Sequence, residues 1–330
     1  MRTFAKTIIA VACAIIAQTD DASGNDVAYD SYCSCSTCAQ DGSMSDAFGL
    51  NLRSAGGLKF SGWINGGIIG NTSSPGSRFN GPYNAVDRSN EAMLNQMYLI
   101  AEKELPKCGH GIGGRIDYLY GEDFYLAESI GIEKRTDGSP HWNKEFYGSA
   151  FPQAYVSLGS QQLNVQVGHF YSIVGYEGVM APDNFFYSKS YSYQFAGPFT
   201  HWGGQLNYMP SDALSFQIGL HNGWDAFDRL SDKMGWIGKV KYDTGAFWTS
   251  LALTTGDEFN DPAGVAETQA VTKRTRFSWL VGLPISCQLD YVFHYWAGRQ
   301  DQGAADGSDA DWYGIDQYLT YQLTDTTDLG

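Results

Sequence analysis

Apolar and polar residues alternate along most of the chain. In residues 213–221 every second residue, from Leu214 to Leu220, is apolar, and polar or small residues stand between them. A period of two indicates a β-strand with two unlike faces. The same alternation predicts about twelve strands: 58–69, 94–102, 112–120, 152–159, 162–169, 201–209, 213–221, 236–242, 246–254, 274–283, 286–296 and 312–323. No stretch has the period of an amphipathic helix of three or more turns, so the sequence predicts an all-β antiparallel fold.

Two all-β architectures fit this alternation, a soluble β-sandwich and a transmembrane β-barrel. Aromatic residues collect near the strand ends, as in the girdle that barrels place at the lipid headgroups. They are Tyr118, Tyr120, Phe170, Tyr171, Tyr208, Trp224, Trp236, Trp279, Tyr295, Trp296, Trp312 and Tyr313. The other strand face carries Gln, Asn, Ser and Gly together with Arg115 and Asp117, as the wall of a water-filled interior would. The pattern favours the barrel, and a secreted sandwich that binds carbohydrate is the alternative.

Composition and charge narrow the class further. The 330 residues include 39 glycines, 15% of the chain is aromatic and 17% is charged. The absence of any apolar run of 18 residues excludes a bundle of transmembrane helices. The formal net charge is −15, and the basic residues are scattered, so nucleic acid is not an expected partner. If the charges of the interior follow those of the whole chain, the protein favours cations.

The N-terminus predicts export. Arg2 and Lys6 precede an apolar core over residues 7–17, which has the length of a signal-peptide core and is too short to span a bilayer. We therefore predict a signal peptide at 1–17, with cleavage as late as residue 28. We expect the mature protein in the outer membrane.

Residues 18–57 are small, polar and acidic without periodicity, and they predict a flexible tail. Cys33, Cys35 and Cys38 lie in this tail. A structural zinc site normally has a second ligand pair downstream, so no metal site is predicted, and the role of these cysteines stays open. Residues 58–330 are the predicted barrel domain.

Several short motifs occur in an order that resembles the OmpL-like β-barrel porin family. The first group is Arg78-Phe79-Asn80-Gly81-Pro82, Asp87-Arg88, Asn90-Glu91 and Leu94-Asn95-Gln96. The second group is Pro152-Gln153-Ala154-Tyr155, GHFYSIVGYE (168–177), APDNFFYS (181–188), PFTHWG (198–203) and GWDAFD (223–228). The resemblance covers about residues 58–323.

This resemblance implies an outer-membrane porin whose barrel forms a water-filled channel. Its partners would be membrane lipid and small hydrophilic solutes, and it could form a homo-oligomer. Members of the family continue beyond the point where this chain stops, and the last residues, 325–330, read as a turn that opens another hairpin. We therefore expect a chain truncated before the closing strands, with twelve strands that close by themselves as the alternative.

Residues 172–199 link two well-marked strands, and a connection of this length is usually functional or disordered. Its aromatic content argues for order. Two folds of this segment stay open, because no sequence rule fixes the direction in which a loop folds. It packs over the rim of the barrel, or it enters the interior as a pore constriction. The candidate residues of such a constriction are Tyr176, Glu177, Asp183, Asn184 and Lys189, together with Arg115 and Asp117 of the wall.

The basic residues Arg78, Arg88 and Arg115 are candidates for the wall opposite the acids of this segment. Ordinary ion pairing is the alternative for all three.

Catalytic signatures are lacking. The six histidines show no paired metal spacing, and no G-x-S-x-G motif is present. We expect structural roles for His169 and His201, and a solvated turn at Glu122 and Asp123. No enzymatic activity and no cofactor is predicted, with a barrel-embedded hydrolase as a remote alternative.

Overall fold

The strands of this protein form a single antiparallel sheet. The computed structural model describes residues 9–11, 52–55, 57–81, 86–107, 109–143, 146–260 and 270–330. The strands in this part of the chain are β1 (Ile9–Val11), β2 (Leu52–Ala55), β3 (Leu58–Gly70), β4 (Ala92–Lys103), β5 (Gly111–Gly121), β6 (Gly148–Ala150), β7 (Ala154–Gly159), β8 (Leu163–Tyr171), β9 (Thr200–Ser211), β10 (Leu214–Trp224), β11 (Gly235–Asp243), β12 (Trp248–Asn260), β13 (Ala270–Ser286), β14 (Leu289–Gln300), β15 (Ala310–Thr324) and β16 (Thr327–Leu329). Its helices are α1 (Tyr191–Phe195) and two 3₁₀ turns, Glu122–Leu126 and Ala181–Asp183.

The prediction of about twelve strands in an all-β antiparallel fold is confirmed. Twelve of the described strands have six or more residues, and each coincides with one of the predicted segments. The other four, β1, β2, β6 and β16, have three or four residues each. Their shortness explains why alternation alone did not predict them.

The strands follow one another around the sheet in chain order from β3 to β16, with β1 and β2 beside β3 and β6 beside β5. Connections at one end of the strands are short, for example 160–162, 212–213 and 287–288. Those at the other end are long, notably 122–147 and 172–199. Outer-membrane barrels have this asymmetry, with short turns on one side and long loops on the other.

The two faces of the strands are the reverse of those in a soluble sandwich. In β10, Ile218 is 60% exposed on the outer face, whereas His221 is fully buried on the inner face. The apolar outer side chains of neighbouring strands are exposed in the same way, among them Ile112, Ile116, Val156, Val165, Val167, Leu251, Ile315 and Leu319. A sandwich would bury this apolar face and expose the polar one. The chain is therefore a transmembrane β-barrel, with its apolar surface toward lipid.

The predicted aromatic girdle is correct only in part. Tyr208, Trp236, Trp279 and Tyr313 are exposed on the outer face, where interfacial aromatics belong. Phe170, Tyr171 and Trp224 are buried instead, and the indole of Trp312 donates a hydrogen bond to the backbone of the 172–199 segment. Phe170 and Tyr171 are consecutive in β8 and both are buried, so alternation at a strand end does not decide whether a ring faces lipid.

The predicted signal peptide (1–17) and tail (18–57) lie outside the described residues, except for β1, β2 and Gly57. Cys33, Cys35 and Cys38 are among the residues outside. At the other end β16 pairs with β15, and the expectation of further closing strands stays a prediction. Among the described residues, no helix is long and apolar enough to cross a membrane.

Candidate functional site

The segment 172–199 leaves the sheet between β8 and β9 and folds upon itself. The Ser190 side chain accepts a hydrogen bond from the Tyr193 amide, 3.2 Å away, and so caps α1. The Glu177 carboxylate accepts the Ser190 amide at 3.1 Å. Asn184 donates to the backbone oxygens of Gly178 and Met180 at 3.0 and 2.6 Å. The predicted order of this segment is thus explained by its own polar side chains.

The segment reaches strands near both ends of the sheet. On one side Tyr187 donates to Asn95 of β4 at 2.7 Å. On the other side the Tyr176 ring lies 4.6 Å from the ring of Tyr318 in β15. Because β8 and β9 lie in the middle of the strand order, a segment with these contacts runs across the interior to the far wall. Of the two alternatives, these contacts correspond to the inward fold, and the role of the segment as a pore constriction stays a prediction.

Gln96 of β4 fastens the segment to the wall. Its amide nitrogen donates to the Val179 oxygen and to Asp123, both at 2.7 Å. Its amide oxygen accepts from the Trp63 indole at 2.9 Å and from the Ala181 amide at 3.0 Å. Gln96 is fully buried, and four hydrogen bonds satisfy its amide completely.

Two cavities lie between the segment and the wall. Cavity A, of about 50 Å³, is bordered by the segment and by residues of β11, β13 and β14. Cavity B, of about 20 Å³, lies beside Tyr318 and Thr320 of β15. Tyr176, Glu177 and Asp183 line both cavities, and Asn184 lines cavity B. Four of the residues expected at a constriction are therefore brought together around open space.

Lys189 lies elsewhere, inside the folded segment. It is buried, and its ammonium donates to the Gly178 oxygen at 3.0 Å and lies 5.3 Å from the Tyr193 ring centre. Burial lowers the pKa of this ammonium, and the nearby Glu177 carboxylate opposes that effect. Lys189 therefore holds the segment together rather than lining either cavity.

Arg115 and Asp117 form a buried pair on the inner face of β5. The Arg115 guanidinium donates to the Asp117 carboxylate at 2.7 and 3.0 Å. The terminal nitrogen that makes the 3.0 Å bond also lies 3.4 Å from the sulfur of Met180 in the segment. The pair thus contacts the segment from the inner face of β5, and its two opposite charges largely cancel.

Arg78 and Arg88 follow the alternative of ordinary ion pairing. Arg78 is ion-paired with Glu91, and Arg88 lies 3.7 Å from the same carboxylate. The Arg88 guanidinium also stacks over Phe146, 4.1 Å from the ring centre.

The expectation of a solvated turn at Glu122 and Asp123 is wrong. Both side chains are buried in the 3₁₀ turn that follows β5. Burial raises the pKa of Asp123 to about 6, and that of Glu122 to about 9, where a hydrogen bond with Asp87 adds to the effect. Adjacent acids at a strand end normally indicate solvent, whereas here Gln96 of β4 donates to Asp123 and Lys189 of the segment lies close to it.

Sequence reasoning missed the basic side of cavity A. Arg276 of β13, Lys239 of β11 and His294 of β14 line it. All three fall on the polar face of predicted strands, so alternation shows that they point inward. Which inward residues meet the segment depends on the curvature of the sheet, and alternation does not contain that information.

The two histidines near the segment have structural partners, as expected. His169 bonds to the Phe151 oxygen at 2.7 Å and stacks on Trp202, and His201 lies 3.2 Å from the Gly223 oxygen. In the part of the chain that the structure describes, no group of three or more His, Cys, Asp or Glu side chains could hold a metal ion.

Comparison with known proteins decides the family. The model of the family described as "Putative beta-barrel porin-2, OmpL-like" matches residues 57–330. The chain belongs to this porin family. The resemblance seen in the sequence motifs is thereby confirmed.

A solved structure supports the fold of this porin. The outer membrane channel DcaP of Acinetobacter baumannii superimposes with a TM-score of 0.53 and 12% sequence identity, over 83% of this chain and 77% of that one. No curated protein sequence matches the chain. At this identity the likeness concerns the barrel fold and not the solute.

Proposed function

We propose that this porin forms a water-filled channel for the passive diffusion of small hydrophilic solutes and ions across the outer membrane. The protein reaches that membrane after export through its N-terminal signal peptide, which is then cleaved. The observation that carries the proposal is the segment 172–199, which crosses the barrel interior and leaves cavities lined by charged side chains.

In this proposal the segment is the constriction of the channel. Tyr176, Glu177, Asp183 and Asn184 form its edge beside the cavities. Lys189 holds the segment in shape, and Arg115 with Asp117 supports it against β5. A pore selects by its diameter and by the charges and hydrogen-bonding groups that line it, and these side chains supply both.

Planar-bilayer recording of the purified, heat-modifiable protein tests the channel. We expect discrete conductance steps, and liposomes containing the protein should swell in small sugars faster than in larger ones. A folded protein that inserts into bilayers without any conductance would refute the proposal.

A deletion variant tests whether the segment 172–199 narrows the channel. Replacing residues 178–197 by a short Gly-Ser linker should raise the single-channel conductance several-fold, because the interior loses its obstruction. A linker of the same composition in place of residues 302–308, between β14 and β15, is the control and should leave the conductance unchanged. Equal conductance in the two variants would place the constriction elsewhere.

A further inference from the structure

Cavity A contains a buried guanidinium with unused hydrogen-bonding capacity. Arg276 of β13 is only 2% exposed. One terminal nitrogen donates to the Ser192 oxygen at 3.1 Å, whereas Nε has no hydrogen-bond partner among the described residues. Asp316 of β15, whose negative charge attracts Arg276, lies 3.1 Å from His294 and forms no hydrogen bond with Nε of Arg276. A buried donor without a partner is costly. The free N–H of Arg276 can therefore donate a hydrogen bond to an acceptor group of a solute.

The segment is shaped to lie against Arg276. A Cβ atom at Gly197 would lie 2.0 Å from a terminal guanidinium nitrogen, and one at Gly175 would lie 3.8 Å from the other. Glycine at 197 therefore allows the backbone of the segment to approach the guanidinium closely. The approach fixes the plane of the guanidinium beside the cavity, which limits the entropy lost when a solute binds.

The same cavity also carries negative charge. Glu177 and Asp183 line it from the segment, and Lys239 adds a second positive charge from β11. Glu177 is held in place by Ser190 and by the Tyr318 hydroxyl, 3.4 Å away. The acidic excess of the whole chain is thus not repeated here, because Lys239, Arg276 and His294 line the cavity together with the two acids.

We propose that cavity A is a binding site for small zwitterionic solutes, that is, molecules with one carboxylate and one ammonium group. The solute carboxylate lies on the Arg276 guanidinium, whose paired N–H groups match the two oxygens. The solute ammonium faces Glu177 and Asp183. This inference rests on the proposed channel function and adds a solute class to it.

A zwitterion fits this lining better than a singly charged solute does. An anion attracted by Arg276 meets Glu177 and Asp183 in the same cavity, and a cation attracted by the acids meets Arg276 and Lys239. Like charges at close range disfavour the wrong ligand. A solute with both charges makes both attractive contacts and brings no net charge.

Three matched probes separate these classes in planar bilayers: β-alanine, propionate and n-propylammonium. Each is added to a channel that conducts potassium chloride, and site occupancy is measured as the reduction of that current. We expect β-alanine to act at a concentration about tenfold lower than either singly charged probe, the difference that one charge-assisted hydrogen bond makes.

Single substitutions test whether β-alanine reduces the current by binding in cavity A. Arg276→Gln and Glu177→Gln should each remove most of the advantage of β-alanine. They should also move the reversal potential in a salt gradient in opposite directions, toward cations and toward anions respectively. Arg299→Gln is the matched control, since it also removes an arginine, but one that is exposed and pairs with Asp309 outside the cavity; it should behave as the original protein.

The outcomes are distinct. A protein without conductance steps fails as a channel, and both proposals fall. A protein that conducts potassium chloride but responds equally to the three probes, or equally before and after Arg276→Gln, overturns the zwitterion site alone.

If Arg276→Gln loses heat-modifiable mobility and so does not fold, Arg276→Lys and Glu177→Gln decide. Arg276→Lys keeps the charge without the planar fork, so it should keep the reversal potential and lose β-alanine affinity.

Discussion

At the scale of single residues, Asp117 is where the polar interior concentrates its hydrogen bonds. Its carboxylate accepts two from Arg115, one from Tyr98 at 2.5 Å and one from Gln153 at 3.0 Å. The Tyr98 hydroxyl also lies 2.6 Å from that of Tyr171. None of these groups is exposed to any appreciable extent, so each depends on the others for its hydrogen bonds.

Asp117→Asn should destabilise the barrel by about 3–5 kcal/mol, because it leaves the buried Arg115 guanidinium with only the more distant Glu102 carboxylate, 3.9 Å away, as an acidic partner. The free energy of unfolding can be measured by urea titration in lipid vesicles, followed by tryptophan fluorescence. Tyr98→Phe is the control and should cost about 1 kcal/mol, the value of one hydrogen bond. Equal losses in the two variants would show that the charge of Asp117 does not matter.

Asp123 should make the barrel less stable as the pH rises. Burial raises its pKa from 3.8 to about 6 in the folded protein, so folding favours the protonated carboxyl. The stabilisation is complete below about pH 4 and is lost as the pH rises through 6. For a fully buried group a shift of this size corresponds to about 3 kcal/mol.

The measurement for Asp123 is the unfolding free energy between pH 4 and 7.5 in a Glu122→Gln background, because the raised pKa of Glu122 adds its own slope over the same range. In that background Asp123→Asn should make the profile less steep between about pH 4 and 6. A profile that stays equally steep in this variant would assign the pH dependence to another group.

At the scale of elements, the segment 172–199 is positioned by the wall and not by its own short helix. Gln96 holds Val179 and Ala181 to β4, and Trp312 holds the Ala196 oxygen from β15 at 3.2 Å. Because α1 has only five residues, it has little stability of its own. The position of the segment therefore depends on contacts made far apart in the sequence.

Gln96→Leu should loosen the segment, because it removes four hydrogen bonds while keeping the side-chain volume similar. We expect faster proteolysis within 172–199 and increased open-channel current noise. Gln205→Leu is the matched control: Gln205 is also a buried glutamine of the inner face, and its amide donates to Gln166 of β8 at 3.3 Å. If both variants have the same noise and the same cleavage pattern, Gln96 does not anchor the segment.

At the scale of the whole molecule, the apolar outer surface determines where the protein can fold. Exposed side chains such as Ile218 and Leu220 would face water in a soluble protein, whereas in lipid they are solvated favourably. The polar inner face then carries the channel and its constricting segment. The long connections lie at one end of the barrel, and the proposed constriction enters from that end.

Ile218→Arg should destabilise the barrel in lipid by about 2–4 kcal/mol, the cost of an arginine on the lipid face near the middle of the membrane. Gln217→Arg, one residue earlier and on the inner face, is the control and should cost far less. Folding yield and urea midpoints in vesicles compare the two. A larger loss for Gln217→Arg would mean that the assigned faces are reversed.

The sequence predictions are correct where the residues that determine a feature lie close together along the chain. Each of the twelve long strands was predicted because its alternation lies within about ten residues. The charged pair Arg115 and Asp117 was placed correctly on the inner face for the same reason. The burial of Glu122 and Asp123 was missed because their neighbours in the fold are distant in the sequence: Asp87 lies 35 residues before Glu122, and Lys189 lies 66 residues after Asp123.

The sequence by itself determined the strands, their two unlike faces and the family, because alternation, aromatic placement and ordered motifs are local properties. Only the tertiary structure decided which inner residues face the segment 172–199. Arg276 and Glu177 line one cavity because the sheet is curved. The curvature brings strands from both ends of the strand order against the segment 172–199, which connects two strands in the middle of that order. That curvature is the sum of many strand pairings, and no single stretch of residues specifies it.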